Sequence, residues 1–202
     1  MSMTRTLPWD WYAGTIPDNV TVHESAFLET SYSFCLYRAQ EPDGLSIGRG
    51  ASIYNGTMFD VGPHGKVRIG AYAMLNPAWI ICDAAIEIGE YALISWNVVL
   101  MDTYRVPHDR WQRRLALDQA ARNRPRRLDG CAAPCPIRIE RNVWIGFDSC
   151  VLPGVTIGEG SVIGARSVVV FDIPQFTVAA GNPARIIRKF TREEIEHGND
   201  TV

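Results

Sequence analysis

An aliphatic residue returns at every sixth position along the last third of the chain. This run consists of Ile139, Ile145, Val151, Ile157, Ile163 and Val169. The same spacing, followed backwards, gives four further groups of three: Ile88, Ile94 and Leu100; Ile69, Leu75 and Ile81; Ile47, Ile53 and Phe59; and Val22, Leu28 and Phe34. Almost no window has the 3.6-residue period of an amphipathic helix, which disfavours an alternating α/β fold. A fixed period of this kind is instead typical of a repeat architecture.

Each six-residue unit has room for one short strand and one turn. Side chains alternate between the two faces of a strand, and residues such as Gly158 and Gly160 suit the turns between strands. Three units complete one coil, and stacked coils bring their strands together in parallel around an apolar interior. The sequence therefore predicts an all-β fold, a parallel β-helix with the shape of a triangular prism.

The spacing between the groups predicts where the insertions lie. Within a group the aliphatic residues are six apart, whereas the steps from one group to the next are 13, 10, 7, 39 and 6 residues. All extra residues therefore enter at one corner of the prism, and insertions along one edge of a solenoid commonly form its binding face. In the third group this frame directs Trp79 inward, and a frame with Ala78 and Ile80 inward fits about as well.

Length and composition favour a single-domain protein without a nucleic-acid or membrane partner. The chain has 202 residues, which favours a single domain over residues 1–202. Its formal net charge of -2 gives no reason to expect a nucleic-acid partner. Because the sequence has no apolar run long enough to span a membrane and no signal-like start, we expect a cytoplasmic protein without a membrane partner. The odd count of five cysteines indicates reduced thiols.

The C-terminal run IGFDSCVLPGVTIGEGSVIGARSVVVFDIPQFTVAAGNPARIIRKF joins the repeat to a GNPAR tail. It resembles the hexapeptide-repeat acyltransferases, the family of galactoside, maltose and xenobiotic acetyltransferases. The resemblance covers about Leu45 to Phe190 without the loop from Met101 to Pro136, and it does not extend to the first 40 residues. It implies a left-handed parallel β-helix, a homotrimer with active sites between neighbouring prisms, a small-molecule acceptor, and acetyl-CoA as acyl donor with no metal.

The single domain divides into three parts. The repeats occupy about residues 22–174, a long inserted loop residues 101–138, and a tail residues 175–202. In the loop, Asp109 is placed to cap a helix that runs to about Asn123. In the tail, a capping box from Thr191 to Glu194 predicts one short helix.

A histidine in the loop is the candidate catalytic base. Acetyl transfer from a thioester needs a base for the acceptor's proton, and histidine ionises near neutral pH. His108 lies at the mouth of the longest insertion and resembles the family's catalytic histidine, although Pro107 precedes it where many relatives have proline after it. Asp102 or Asp109 could orient its ring. A solvated loop histidine is the alternative, and His64 at another insertion corner is the reserve candidate or a turn residue.

Cysteines offer a competing covalent route. Cys82 and Cys150 fall at outward positions in the repeat frame, but neither has a histidine nearby in sequence, and direct transfer is favoured. Cys131 and Cys135 form a C-x3-C pair without a second pair, which is a weak zinc signal.

The resemblance also implies residues that bind coenzyme A. Ala165 and Val170 match contact positions with short side chains, where pantetheine can approach the backbone. Arg185 and Arg188 can meet phosphates through charge-assisted hydrogen bonds. The family often has glycine where Arg166 stands, and the alternative for Arg188 is a solvated cationic tail.

The long loop is strongly basic. Its segment from residue 105 to 130 contains eight arginines against three aspartates, and these arginines are Arg105, Arg110, Arg113, Arg114, Arg122, Arg124, Arg126 and Arg127. Such a charge run is usually a solvated face, but beside an active site it could receive an anionic acceptor such as a nucleotide-linked sugar.

Three functions remain open on the sequence. The favoured one is an acetyl-CoA-dependent O- or N-acetyltransferase with His108 as base. A non-catalytic hexapeptide-repeat scaffold is the second, because a fold alone does not confer function. The third is a metal hydrase like the γ-class carbonic anhydrases, which needs three histidines around zinc, and no two histidines here share a repeat face at close spacing.

Overall fold

The structure is a computed structural model that describes residues 5–125, 128 and 132–197. Short strands form three sheets, and the chain visits the sheets in turn, so that a regular coil gives one strand to each sheet. Neighbouring strands are parallel, except for one antiparallel pair at the C-terminal end. This arrangement is the parallel β-helix that the six-residue period predicts.

The strands are assigned to the sheets as follows. The first sheet contains, in spatial order, β1 (Val20–Val22), β3 (Leu45–Ile47), β6 (Lys66–Ile69), β9 (Ala85–Ile88), β12 (Ile137–Ile139) and β15 (Thr156–Ile157). The second contains β2 (Phe27–Leu28), β4 (Ser52–Ile53), β7 (Met74–Leu75), β10 (Leu93–Ile94), β13 (Trp144–Ile145), β16 (Val162–Ile163), β18 (Thr177–Gly181) and β19 (Ala184–Lys189). The third contains β5 (Met58–Val61), β8 (Ala78–Cys82), β11 (Val98–Met101), β14 (Cys150–Val151) and β17 (Val168–Val169).

The repeating aliphatic residues fill the interior of the prism. The six residues of the C-terminal run are all buried, and equivalent residues of successive coils lie side by side, as Leu100 does beside Val151. Burial of each such side chain contributes about 1.5–3 kcal/mol before entropy costs. Small polar residues turn the corners: the Ser149 and Ser167 hydroxyls are buried and both donate to the Gly164 carbonyl.

The third coil corrects the repeat frame. Ala78, Ile80 and Cys82 are buried, whereas Trp79 is 42% exposed. Ile80, not Ile81, pairs with the core residues of the adjacent coils. The corner before β8 is one residue shorter than its equivalents, and a one-residue shift moves every side chain of a strand to the other face. The frame that directs Trp79 and Ile81 inward and Cys82 outward is therefore wrong, and the alternative frame with Ala78 and Ile80 inward is confirmed.

The first coil is less regular than the others. Val22 and Leu28 are buried in strands, as the repeat predicts. Phe34 is also buried, but it ends a 3-10 helix, Ser31–Phe34, instead of a strand. Its ring stacks on Phe59 of the next coil, with 5.6 Å between ring centroids.

The long segments lie at one corner, between the third and the first sheet, as the gap lengths predict. The longest carries helix α1 (Arg110–Arg122), for which Asp109 is the N-cap and Asn123 the C-cap. The tail ends in helix α2 (Arg192–His197), and the predicted capping box is confirmed: the Thr191 N–H donates to the Glu194 carboxylate at 2.8 Å, and the Glu194 N–H donates to the Thr191 hydroxyl at 3.3 Å. The antiparallel pairing of β18 with β19 was not predicted. Within the described ranges, no helix is both long and apolar enough to cross a bilayer.

Candidate active site

A cleft of about 510 Å³ opens at the insertion corner, between the start of α1 and the neighbouring coil. His108 lines it. The other lining residues are Tyr104, Pro107, Asp109, Gln112, Ala132, Ala133, Cys135 and Pro153. The cleft therefore joins the two ends of the long loop, which the sequence separates by about thirty positions.

His108 is held by its main chain while its ring is left accessible. The Arg113 guanidinium donates to the carbonyls of Pro107 and His108, at 3.1 and 3.0 Å. The Tyr104 ring meets the imidazole edge-on, with 5.1 Å between centroids. The residue is exposed, and no group in the described ranges is hydrogen-bonded to its ring nitrogens. The ring is therefore exposed at the cleft without a hydrogen-bond partner among the described residues.

Asp102 is hydrogen-bonded to other groups and not to this ring. Its carboxylate is fully buried and accepts hydrogen bonds from the main-chain N–H groups of Asp83 and Ala84, both at 2.8 Å. The Cys82 thiol donates to it across 3.4 Å. Burial raises the pKa of this carboxyl, although those hydrogen bonds oppose the shift. The structure thus places Asp102 as a brace of the corner and does not bring it to His108.

The other two candidates, Asp109 and His64, have local partners of their own. The Asp109 carboxylate accepts from the N–H groups of Trp111 and Gln112, as a helix cap does. His64 lies in the turn between β5 and β6, where its ring is 3.3 Å from the Glu41 carboxylate and largely exposed. Neither side chain is hydrogen-bonded to the His108 ring.

The sequence left the loop arginines as either a solvated face or a site for an anionic acceptor, and Arg105 is instead paired with carboxylates of the chain itself. Its side chain is only 14% exposed and lies between the carboxylates of Asp60 and Asp83. Burial acts to raise the pKa of the Asp60 carboxyl, but the contacts with Arg105 and Arg38 outweigh it and hold that pKa below its usual value. A charge count could not find this cluster, because its members are separated by 22 and 45 residues.

The cysteines differ in their surroundings. Burial raises the pKa of the Cys82 and Cys150 thiols, so both are poor nucleophiles. Cys135 is exposed in the cleft. Cys131 lies outside the described residues, as do Arg126 and Arg127 of the basic run. Among the residues that are described, no three metal-ligating side chains are grouped.

The residues expected to bind coenzyme A lie in the last coils. Ala165 is exposed at the corner between β16 and β17, and a Cβ added at Gly146 would lie 2.6 Å from its main-chain nitrogen, so the stacked corners are in close contact. Val170 is 45% exposed just after β17. Arg166 has a φ of 58°, a conformation that favours glycine, which explains why glycine suits this corner.

Arg185 and Arg188 both lie on β19, and both are exposed. The Arg188 guanidinium is 2.8 Å from the Glu194 carboxylate and lies over the Phe190 ring, 4.7 Å from its centroid. This ion pair lowers the pKa of the Glu194 carboxyl. Any phosphate that binds Arg188 must therefore compete with Glu194.

A second cleft, of about 490 Å³, lies on the outer face of the first sheet. Its charged lining is largely paired within the chain, since Arg138 is 3.1 Å from Glu87 and Arg141 is 3.1 Å from Glu159. It contains none of the residues expected to be functional.

The six-residue repeat of this chain is similar to that of known acetyltransferases. Residues 136–170 match the family described as "Bacterial transferase hexapeptide (six repeats)". Galactoside O-acetyltransferase of Escherichia coli is 36% identical over 144 residues, which cover 71% of this chain and 63% of that protein. A Schizosaccharomyces pombe protein, named only provisionally as an acetyltransferase, is 56% identical over 110 residues, which cover 54% of this chain and 46% of that one. The chain thus spans less than two thirds of the length of these relatives.

Solved structures of acetyltransferases are also similar to this chain. A hexapeptide-repeat acetyltransferase of Vibrio cholerae, complexed with acetyl coenzyme A, has a TM-score of 0.57 and 30% identity, over 72% of this chain and 70% of that one. A maltose O-acetyltransferase of Clostridium difficile has a TM-score of 0.52 and 27% identity, over 86% of this chain and 67% of that one.

Proposed function

Because the chain belongs to the hexapeptide-repeat acetyltransferases, we propose that it transfers an acetyl group from acetyl-CoA to a hydroxyl or amine of a small, sugar-like acceptor. The observation that carries this proposal is the accessible imidazole of His108, which lines a cleft large enough for such an acceptor. Its main chain is tied down by Arg113, so the base is positioned before the acceptor arrives.

His108 is the general base of the proposed reaction. Its neutral ring takes the proton from the acceptor oxygen or nitrogen as that atom bonds to the thioester carbonyl carbon. The tetrahedral intermediate then collapses, the carbon–sulfur bond breaks, and the imidazolium returns the proton to the departing thiolate. Asp102 acts on the same site only indirectly, since its carboxylate braces the Asp83–Ala84 corner.

The last coils are the proposed binding site of the donor. The short side chains of Ala165 and Val170 leave the backbone accessible to the slender pantetheine arm. The exposed guanidinium groups of Arg185 and Arg188 supply charge for the phosphates, and Arg188 does so in exchange for its contact with Glu194.

We further propose left-handed winding of the coils and assembly as a homotrimer. Flat prism faces can bury more surface by packing about a three-fold axis, and the family resemblance favours the same assembly. Light scattering measures the mass in solution. A stable monomer that binds coenzyme A tightly would contradict both the trimer and a site shared between subunits.

The direct test of the activity is release of coenzyme A from acetyl-CoA across a panel of sugars, amino sugars and nucleotide-linked sugars. We expect acceptor-dependent release with at least one of these classes. The scaffold alternative is supported by one observation: the His108 ring lacks an orienting carboxylate in the described structure. Binding of acetyl-CoA without release for any acceptor would favour that alternative.

A further inference from the structure

The Arg105 side chain is bound on two sides inside the insertion corner. Its Nε and Nη2 atoms donate to the two carboxylate oxygens of Asp83, at 3.2 and 3.0 Å. Its Nη1 donates to the Asp60 carboxylate at 2.6 Å, and Nη2 also donates to the Asp60 carbonyl at 2.8 Å. Four of the five N–H donors of the guanidinium are thus used by two residues.

These contacts connect three successive coils. Asp60 lies in β5, Asp83 follows β8, and Arg105 follows β11. Arg105 therefore reaches back from the start of the long loop to the two preceding coils. Its own main-chain N–H donates to the Thr103 hydroxyl, which is buried. The loop is held at its first residues by side chains that belong to the regular prism.

The Arg105 backbone is in an unusual conformation, with a φ of 54°. Within residues 5–125, 128 and 132–197, the other non-glycine residues with positive φ are Tyr72, Tyr91, Asn97, Asn142, Asp148, Arg166 and Phe176. Those seven lie at the short corners of the coils, whereas Arg105 lies in the inserted loop. A residue other than glycine keeps this backbone conformation only where its surroundings hold it. Such residues are common at functional sites.

We propose that Arg105, bound to Asp60 and Asp83, is the positioning residue of the His108 turn. This inference rests on the proposed function, because it concerns the same site. His108 is three residues beyond Arg105, and Arg113 holds the turn from its other side. With both ends of the turn fixed, the His108 ring keeps one place at the mouth of the cleft.

The coils do not depend on this cluster for their core. Cys82 and Leu100, the last interior residues of β8 and β11, are fully buried and belong to the hydrophobic core. Removal of one partner of a buried ion pair lowers stability, because the charge left behind is uncompensated. Asp60 keeps its ion pair with Arg38, at 2.9 Å, so this cost falls mainly on the Asp83 carboxylate and not on the apolar core of the coils. Replacement of Arg105 by methionine should therefore release the turn and leave the prism folded.

Hydrogen exchange measures this release without any need for activity. In the trimer or whichever assembly the full chain forms, Arg105→Met should speed the exchange of the amides of residues 103–113 by about tenfold or more. Amides in the strands should be unchanged. Arg110→Met is the matched control, because Arg110 is exposed and its guanidinium lies over the Trp111 ring instead of beside a carboxylate. It should leave the exchange at residues 103–108 unaltered.

Kinetics supply the second measurement. With any acceptor that the wild type uses, Arg105→Met should lower kcat at least tenfold while its affinity for acetyl-CoA stays within twofold. Arg105→Lys keeps the positive charge but loses the planar, forked guanidinium. Its kcat should lie between those of the wild type and Arg105→Met. If the wild type transfers no acetyl group, the proposed function fails, and the exchange experiment still decides the role of Arg105.

Two results would overturn the proposal. One is unchanged exchange around His108 in Arg105→Met. The other is loss of the whole fold in both Arg105→Met and the milder Asp60→Asn, which would show that the cluster holds the coils together. If only Arg105→Met fails to fold, Asp60→Asn is used for the same exchange measurement, with the same expected result.

Discussion

One guanidinium nitrogen of Arg113 donates a hydrogen bond to the main-chain carbonyl of His108, across 3.0 Å. The contact fixes the turn that carries the proposed base from within the first turn of α1. One arginine of the basic loop therefore holds the His108 main chain, a role that the net charge of the loop could not predict. The remaining arginines on this helix, such as Arg114, have no such contact with the turn.

Arg113→Ala should therefore lower acceptor turnover by roughly tenfold, because a displaced base reacts less efficiently even when its chemistry is intact. Coenzyme A affinity should be unchanged. Arg114→Ala is the control, since it removes the same charge one residue further along the helix. Steady-state kinetics of both variants make the comparison, and equal losses in the two would show that charge, not the contact with His108, is what matters.

The coenzyme A site can be tested through its competing ion pair. Arg185→Ala combined with Arg188→Ala should weaken binding of CoA more than that of dephospho-CoA, because charge-assisted contacts with phosphate contribute about 1.5–3 kcal/mol each. Glu194→Gln should instead tighten CoA binding, since it frees Arg188 from its carboxylate partner. Titration calorimetry with both ligands measures these effects. Equal weakening of the two ligands would mean that neither arginine meets the 3′-phosphate.

The corrected frame of the third coil makes a stability prediction. Ile80 is fully buried, whereas Ile81 is partly exposed. Ile80→Ala should lower the free energy of unfolding by about 2–5 kcal/mol, and Ile81→Ala by about 1 kcal/mol or less. Chemical denaturation of the two variants tests the register, and a larger loss for Ile81→Ala would restore the uncorrected six-residue frame.

The N-terminal segment is held to the first coil by Asp10. Its carboxylate accepts hydrogen bonds from the hydroxyl groups of Thr30 and Ser31, which are both buried. Burial acts to raise its pKa, but these bonds and the Ser31 N–H outweigh burial and lower the pKa from 3.8 to about 2. Because the folded-state pKa is depressed, this carboxylate stabilises the fold above pH 4 and loses that effect as the pH falls towards 2.

Asp10→Ala should thus cost about 1–3 kcal/mol at pH 7, because two buried hydroxyls lose their acceptor. The difference from the wild type should shrink as the pH falls from 4 to 2. Urea denaturation at several pH values provides the curve. A difference that stays constant over this range would show that ionised Asp10 is not what holds the segment.

Much of the fold could be predicted because the interior repeats. Ile139, Val151 and Val169 are buried where the period places them, and the steps between groups correctly put every insertion at one corner. The shortened corner before Ala78 could not be located from the sequence, because two frames that differ by one residue both place apolar side chains inside the prism. Strand β19 was missed because its sequence, from Ala184 to Lys189, is largely exposed and cationic and pairs with only one neighbour.

The site was only partly predictable for a different reason. His108 could be proposed from its place at the mouth of the insertion, and the structure adds a cleft around it. The contacts of Arg105 and Asp102 depend on which side chains of earlier coils face the corner. Asp60 and Asp83 carry no local pattern that marks them as partners of a distant arginine. Such long-range pairing appears only when the coils are stacked.

Replacement of His108 tests whether this residue is the base of an acetyl transfer. The measurement compares acceptor-dependent release of coenzyme A by the wild type, His108→Ala and the control His64→Ala, together with the affinity of each for CoA. We expect His108→Ala to lower turnover at least ~100-fold with CoA affinity nearly unchanged, because the base touches the acceptor and not the donor. His64→Ala should retain wild-type turnover, and full turnover in His108→Ala would contradict the assignment.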